Sequence, residues 1–183
     1  SLFIKSYGCQ MNEYDSERMA EILEPFNYSP VNEPDQADLI ILNTCHIREK
    51  AAEKIYSELG RLKKINNKSN REPKIAVAGC VGQAEGQEII NRSPIVDLVF
   101  GPLTYHQLPE MLESIETKKG FPNKKLVNIE VPDIDKFNQL KGSRKSLRSI
   151  SSLLSVQEGC DKFCSFCVVP YTRGVEISRP AYQ

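Results

Sequence analysis

An alternation of two patterns constrains the fold of this chain more than any other feature. Leu2-Phe3-Ile4 leads to Tyr7-Gly8-Cys9, and Leu39-Ile40-Ile41-Leu42 leads to Asn43-Thr44-Cys45. Ile75-Ala76-Val77-Ala78 leads to Gly79-Cys80, and Val96-Asp97-Leu98-Val99-Phe100 leads to Gly101-Pro102. Each is a short apolar run closed by a turn signal, as a strand buried on both faces of a parallel sheet requires. Helical spacing fills the gaps. Met19, Ile22, Leu23 and Phe26 share one helix face, which Pro25 should end; Ile47, Ala51, Ile55, Leu59 and Leu62 form a longer stripe with charges opposite. Leu108, Met111, Leu112 and Ile115 form another, in which Pro109 is tolerable only in the first turn. One more strand is expected over residues 126–129. Strand and helix in alternation imply βαβ crossovers, and so an α/β fold with a doubly wound, mainly parallel sheet.

The pattern stops near Val131, which makes residues 1–131 the first domain. Residues 132–152 hold Pro132, Gly142, several serines and five basic residues from Lys136 to Arg148 without an acidic one. They read as a linker, with a solvated connector favoured over a phosphate contact. Residues 153–157 look like a new strand, and the chain reaches Gln183 with no element able to complete a second core. Residues 153–183 are therefore expected to be the start of a truncated second domain, and residues after about 131 are expected to be poorly ordered in isolation. Lys+Arg and Asp+Glu are both 24, so the chain as a whole is no general polyanion binder. The longest aliphatic run, residues 39–42, is far short of a membrane span, and no basic-then-apolar leader opens the chain. A cytoplasmic location away from the membrane is the expectation. It disfavours a disulfide framework for the six cysteines.

Those cysteines fall in two sets. Cys9, Cys45 and Cys80 each sit just past a predicted strand, with spacings of 36 and 35 residues that match one βα unit apiece. Ligands of open α/β sheets bind beyond the carboxyl ends of the strands, and the helix N-termini that follow favour anionic sulfur. Three buried structural cysteines are the bland alternative; three at one topological place favour a site for zinc or an iron–sulfur cluster. His46 is better read as a helix-start residue than as a fourth ligand, and His106 has no assignable partner. The second set, Cys160, Cys164 and Cys167, is a C-x3-C-x2-C run within one loop. Structural zinc usually takes paired C-x2-C elements supplying four ligands. Three thiols on a four-iron cluster leave one iron open to a small molecule.

This spacing resembles that of radical S-adenosylmethionine enzymes, with Phe166 in the aromatic slot before the third cysteine. Along the whole chain the resemblance is to the methylthiotransferase family. It is carried by Tyr7-Gly8-Cys9-Gln10-Met11-Asn12, Asp15-Ser16-Glu17, Asn43-Thr44-Cys45, Ile47-Arg48-Glu49-Lys50-Ala51, Gly79-Cys80, Gln83, Gln157-Glu158-Gly159-Cys160, Val168-Val169-Pro170-Tyr171-Thr172-Arg173-Gly174 and Ser178-Arg179-Pro180. Gln10-Met11 and residues 47–50 favour the branch that acts on tRNA dimethylallyladenosine. The resemblance implies an auxiliary 4Fe–4S cluster on Cys9, Cys45 and Cys80 and a radical 4Fe–4S cluster on Cys160, Cys164 and Cys167. It further implies cleavage of S-adenosyl-L-methionine to a 5′-deoxyadenosyl radical and 2-methylthiolation of N6-dimethylallyl (isopentenyl) adenosine beside the tRNA anticodon. A low-potential electron donor of flavodoxin or ferredoxin type is implied as a partner. Phe166 would lie near the cofactor's adenine, with loop packing as its bland role. Arg173 would face cofactor, substrate or tRNA phosphate, with a surface pair to Glu176 as its bland role. The second domain would open a partial (β/α) barrel, so residues 1–183 alone are expected to be inactive. Methylthiolation of a ribosomal protein or another tRNA base, and a non-catalytic iron–sulfur or zinc module, stay as alternatives.

Overall fold

A computed structural model describes residues 1–46, 49–69, 72–115, 124–131 and 153–181, the side chains of 49–52 and 68–69 excepted. Ile47, Arg48 and the linker at 132–152 lie outside the described residues.

In chain order the first unit contains β1 (Leu2–Tyr7), α1 (Gln10–Leu23), β2 (Leu39–Thr44), α2 (Glu49–Ser69), β3 (Lys74–Ala78), α3 (Cys80–Glu85), α4 (Gln87–Arg92), β4 (Leu98–Phe100), α5 (Leu108–Ile115) and β5 (Leu126–Asn128). The five strands make one all-parallel sheet in the order β1-β2-β3-β4-β5. Strand alternation divides the core. Leu39, Ile41, Ala76, Ala78, Leu98 and Phe100 pack against α1 and α5, whereas Ile40, Leu42, Ile75, Val77 and Val99 pack against α2, α3 and α4. Helices on both faces explain why β2 carries an unbroken apolar run: all six of its residues are buried. Each fully buried leucine or isoleucine contributes about 1.5–3 kcal/mol relative to exposure.

The helix stripes hold with one exception. Ile55, Leu59 and Leu62 of α2 and Leu108, Met111, Leu112 and Ile115 of α5 are buried, and Pro109 sits in the first turn of α5. In α1, Met19 and Leu23 are buried, but Phe26 is 57% exposed. Pro25 ends the helix as expected, and the chain turns into a 3-10 segment, Glu24–Phe26, that rotates Phe26 off the core face.

The second unit contains β6 (Gln157–Glu158), α6 (Val169–Arg173) and β7 (Ile177–Ser178), and β6 pairs antiparallel with β7. The strand expected at 153–157 is thus displaced to 157–158. Only Gln157 and Glu158 find a partner strand, and the side chains turned inward here are Ser155 and Glu158, while Leu154 and Val156 face out. The described part of this unit packs on α1, through Ser155 and Arg173, and on α3, through α6. No helix among the described residues is long and apolar enough to cross a membrane.

Candidate metal centres at the strand-end rim

The sheet register brings the first cysteine set to one rim. Tyr7 lies beside Thr44 and Asn43 beside Ala78, so Cys45 follows in the row of Gly8 and Cys80. The Cys45 amide donates to the Tyr7 carbonyl at 2.9 Å, which extends the ladder one residue past β2. Cys9 caps the start of α1, and Cys80 opens α3. Cys45 and Cys80 are buried and Cys9 is exposed.

Two glycines make this close approach possible. A Cβ on Gly8 would lie 2.5 Å from the Cys45 Cβ. A Cβ on Gly79, whose φ is +85°, would lie 2.4 Å from Asn43 Oδ1 and 2.8 Å from the Thr44 carbonyl oxygen. Beneath the rim, two buried amides tie the start of α1 to the end of β2. Cys9 Sγ donates to Asn12 Oδ1 at 3.2 Å, Asn12 Nδ2 donates to Asn43 Oδ1 at 3.1 Å, and Asn43 Nδ2 donates to the Asn12 carbonyl at 2.7 Å and to Ser16 Oγ at 2.9 Å. Asn12 therefore links Cys9 to β2. Buried amides satisfied by one another in this way rigidify the backbone that carries the thiols.

The second set lies in the loop between β6 and α6. Cys160 and Cys167 are half-buried and Cys164 is exposed. The Cys160 amide donates to the Gly174 carbonyl at 3.2 Å, the Cys167 amide to the Cys164 carbonyl at 2.9 Å, and the Glu176 amide to Asp161 Oδ1 at 2.9 Å. Phe163 takes a left-handed φ of 47° and meets Tyr171 edge-on, ring centroids 6.3 Å apart. Phe166 is 92% exposed.

Arg173 faces neither solvent nor Glu176. Its guanidinium is buried, donating through one arm to Glu158 Oε1 at 2.6 Å and through the other to Asp15 Oδ2 at 2.8 Å. Burial pulls its pKa down, but Asp15, Cys80 and Glu158 push it up by more, so it stays well above its ordinary value. α6, whose last residue is Arg173, packs against α3, the helix that Cys80 opens.

The residues fit a soft, sulfur-ligated group by donor chemistry. Three thiols occupy neighbouring strand ends and three more one short loop. Thr44 Oγ1 and His46 Nδ1, on either side of Cys45, are buried without a hydrogen-bond partner among the described residues. Among the described residues no three His, Cys, Asp or Glu side chains converge as a metal-binding group, so the thiols share a rim without closing on a common point.

Residues 1–101 match the family model described as uncharacterized protein family UPF0004, more than half of the chain. The chain belongs to the UPF0004 family. Within it, the chain is 58% identical over 180 residues to the tRNA-2-methylthio-N(6)-dimethylallyladenosine synthase of Jannaschia sp. (strain CCS1), covering 98% of this chain and 37% of that protein. It is 59% identical over 179 residues to the synthase of the same name from Ruegeria sp. (strain TM1040), covering 98% and 39%. It is 56% identical over 184 residues to that of Maricaulis maris (strain MCS10), covering 100% and 39%. The chain thus spans about two fifths of the length of the curated relatives it matches. β5, at residues 126–128, completes the same sheet beyond the stretch that the UPF0004 family model matches.

Sequence reasoning missed the polar buried face of α1. Asn12, Asp15, Met19 and Leu23 all lie on its buried side. The signal was present: Asn12, Asp15 and Ser16 continue the Met19 and Leu23 stripe at helical spacing toward the N-terminus, and polar residues on a core stripe mark a buried polar site.

Proposed function

We propose that this UPF0004 chain is the N-terminal portion of a radical S-adenosylmethionine tRNA methylthiotransferase that acts on N6-dimethylallyladenosine beside the anticodon. The single observation that carries the proposal is the 56–59% identity to synthases of that name over at least 179 of 183 residues, a span that includes both cysteine sets. In this reading Cys9, Cys45 and Cys80 hold an auxiliary 4Fe–4S cluster, and Cys160, Cys164 and Cys167 hold the radical cluster together with S-adenosyl-L-methionine. When bound, these groups supply the radical that activates the adenine and the sulfur that is transferred. The chain's own part is placement. Gly8 and Gly79 let the backbone close on the first group, Asn12 and Asn43 lock the start of α1 to the end of β2, and the exposed Phe166 offers a ring face to a purine. A flavodoxin- or ferredoxin-type donor supplies the electron, and the setting is the cytoplasm. The domain limits 1–131, 132–152 and 153–183 belong to the same proposal. Residues 1–183 alone are expected to take up iron without turnover, because the relatives are more than twice as long.

Mass spectrometry of nucleosides from a strain lacking the gene tests the substrate. The expected result is loss of the 2-methylthio group with accumulation of N6-dimethylallyladenosine in tRNA. Unchanged tRNA beside a ribosomal protein that has lost a methylthio group would transfer the proposal to the other substrate.

A further inference from the structure

A buried charge network joins the elements that carry the two cysteine sets. Asp15 belongs to α1, the helix that Cys9 caps, and lies six residues from it, about 9 Å along the axis. Glu158 and Arg173 belong to the second unit, at the end of β6 and the end of α6. Both frame Cys160. Glu158 precedes it by two residues, and the Gly174 carbonyl, one residue beyond Arg173, accepts its amide at 3.2 Å. One guanidinium thus spans a carboxylate on each unit, at 2.8 Å to Asp15 and 2.6 Å to Glu158, with all three side chains no more than 6% exposed. The contact from Ser155 Oγ to Met11 Sδ, at 3.9 Å, also crosses between the units but is far weaker.

Chain connectivity cannot supply the same restraint. Twenty-one residues separate Val131 from Leu153, enough to reach about 70 Å when extended. A buried ion network is a poor source of net stability compared with apolar packing, but moving one partner away leaves a buried charge uncompensated, which opposes any displacement of one unit against the other. A planar fork with two donor edges can bridge two carboxylates, which a lysine ammonium does without fixed direction.

We propose that Arg173 is a positioning residue: bridging Asp15 and Glu158, it fixes the orientation of the Cys160, Cys164 and Cys167 loop relative to the Cys9, Cys45 and Cys80 rim. Its importance for catalysis rests on reading both sets as cluster ligands; the docking itself does not.

The test is hydrogen exchange on the 183-residue chain, metal-free, with Asp15→Ala and Arg173→Lys. Alanine is the better helix former, so Asp15→Ala leaves α1 intact. In both variants, amides of residues 157–178 are expected to lose at least about tenfold in protection, while β1 to β4 keep theirs. Protection of 157–178 equal to that of the unaltered chain, or an equal loss across the sheet, would overturn the proposal. In the iron-loaded protein, Asp15→Ala is expected to weaken the magnetic interaction between the two reduced clusters at unchanged iron content. An unchanged interaction at full iron content would also overturn it. Should the unaltered chain bind no iron, the cluster reading fails, and the exchange experiment still decides the role of Arg173.

Discussion

Replacing Cys160, Cys164 and Cys167 together by alanine is expected to lower the iron of the reconstituted protein from about eight to about four per chain. It is also expected to abolish any change in the EPR signal on adding S-adenosylmethionine. The fold should survive. Cys164 is exposed, Cys160 and Cys167 are half-buried, and the loop is held by backbone hydrogen bonds from Cys160 and Cys167 that alanine retains. The complementary triple, at Cys9, Cys45 and Cys80, should remove the other half of the iron and leave the S-adenosylmethionine response in place. Its stability cost is larger, since Cys45 and Cys80 are buried where the strand ends pack. Iron content and low-temperature EPR of the two variants check both statements. Equal loss of all iron in either triple would mean one shared centre.

Gly79→Ala is expected to be the most destabilising single change at the rim, by about 2–4 kcal/mol. Two penalties act together. The φ of +85° is strained for any residue with a Cβ, and that Cβ would sit 2.4 Å from Asn43 Oδ1 and 2.8 Å from the Thr44 carbonyl oxygen. The carbonyl belongs to a strand paired on both sides and cannot withdraw, so Asn43 must move and break its bonds to Asn12 and Ser16. Cys80 would be misplaced as well, and iron uptake by the first set should fall. Gly60→Ala is the control. Gly60 lies in α2, where an added methyl group would meet nothing within 4 Å, and alanine there should stabilise by about 0.5–1 kcal/mol. Urea midpoints for both variants measure the contrast. A Gly79→Ala midpoint equal to that of the unaltered chain would contradict the packing described for the rim.

The sheet was legible because β2 and β3 are covered on both faces, which leaves short unbroken apolar runs, rich in β-branched residues and closed by turn signals. Cys45 and Cys80 were legible for the same reason, since each follows such a run, whereas Cys9 follows the edge strand β1, whose residues after Leu2 are only half-buried. Two things were not. Phe26 fits the α1 stripe by spacing, and only the 3-10 turn after Leu23 carries it outward. Arg173 reads as an exposed cation at the end of a short helix. Its carboxylate partners, Asp15 and Glu158, are 158 and 15 residues away in the chain, and pairing across such distances leaves no periodic trace. The second unit hid its strand because it inverts the usual pattern: Ser155 and Glu158 point inward and Leu154 and Val156 outward.

Anaerobic reconstitution of the chain, with iron and sulfide analysis and EPR before and after S-adenosylmethionine, tests the central claim most directly. About eight irons per chain, with one of two signals shifted by S-adenosylmethionine, is the predicted result. Zinc without iron in protein purified free of oxygen would contradict it, and would make the cysteines a structural metal site.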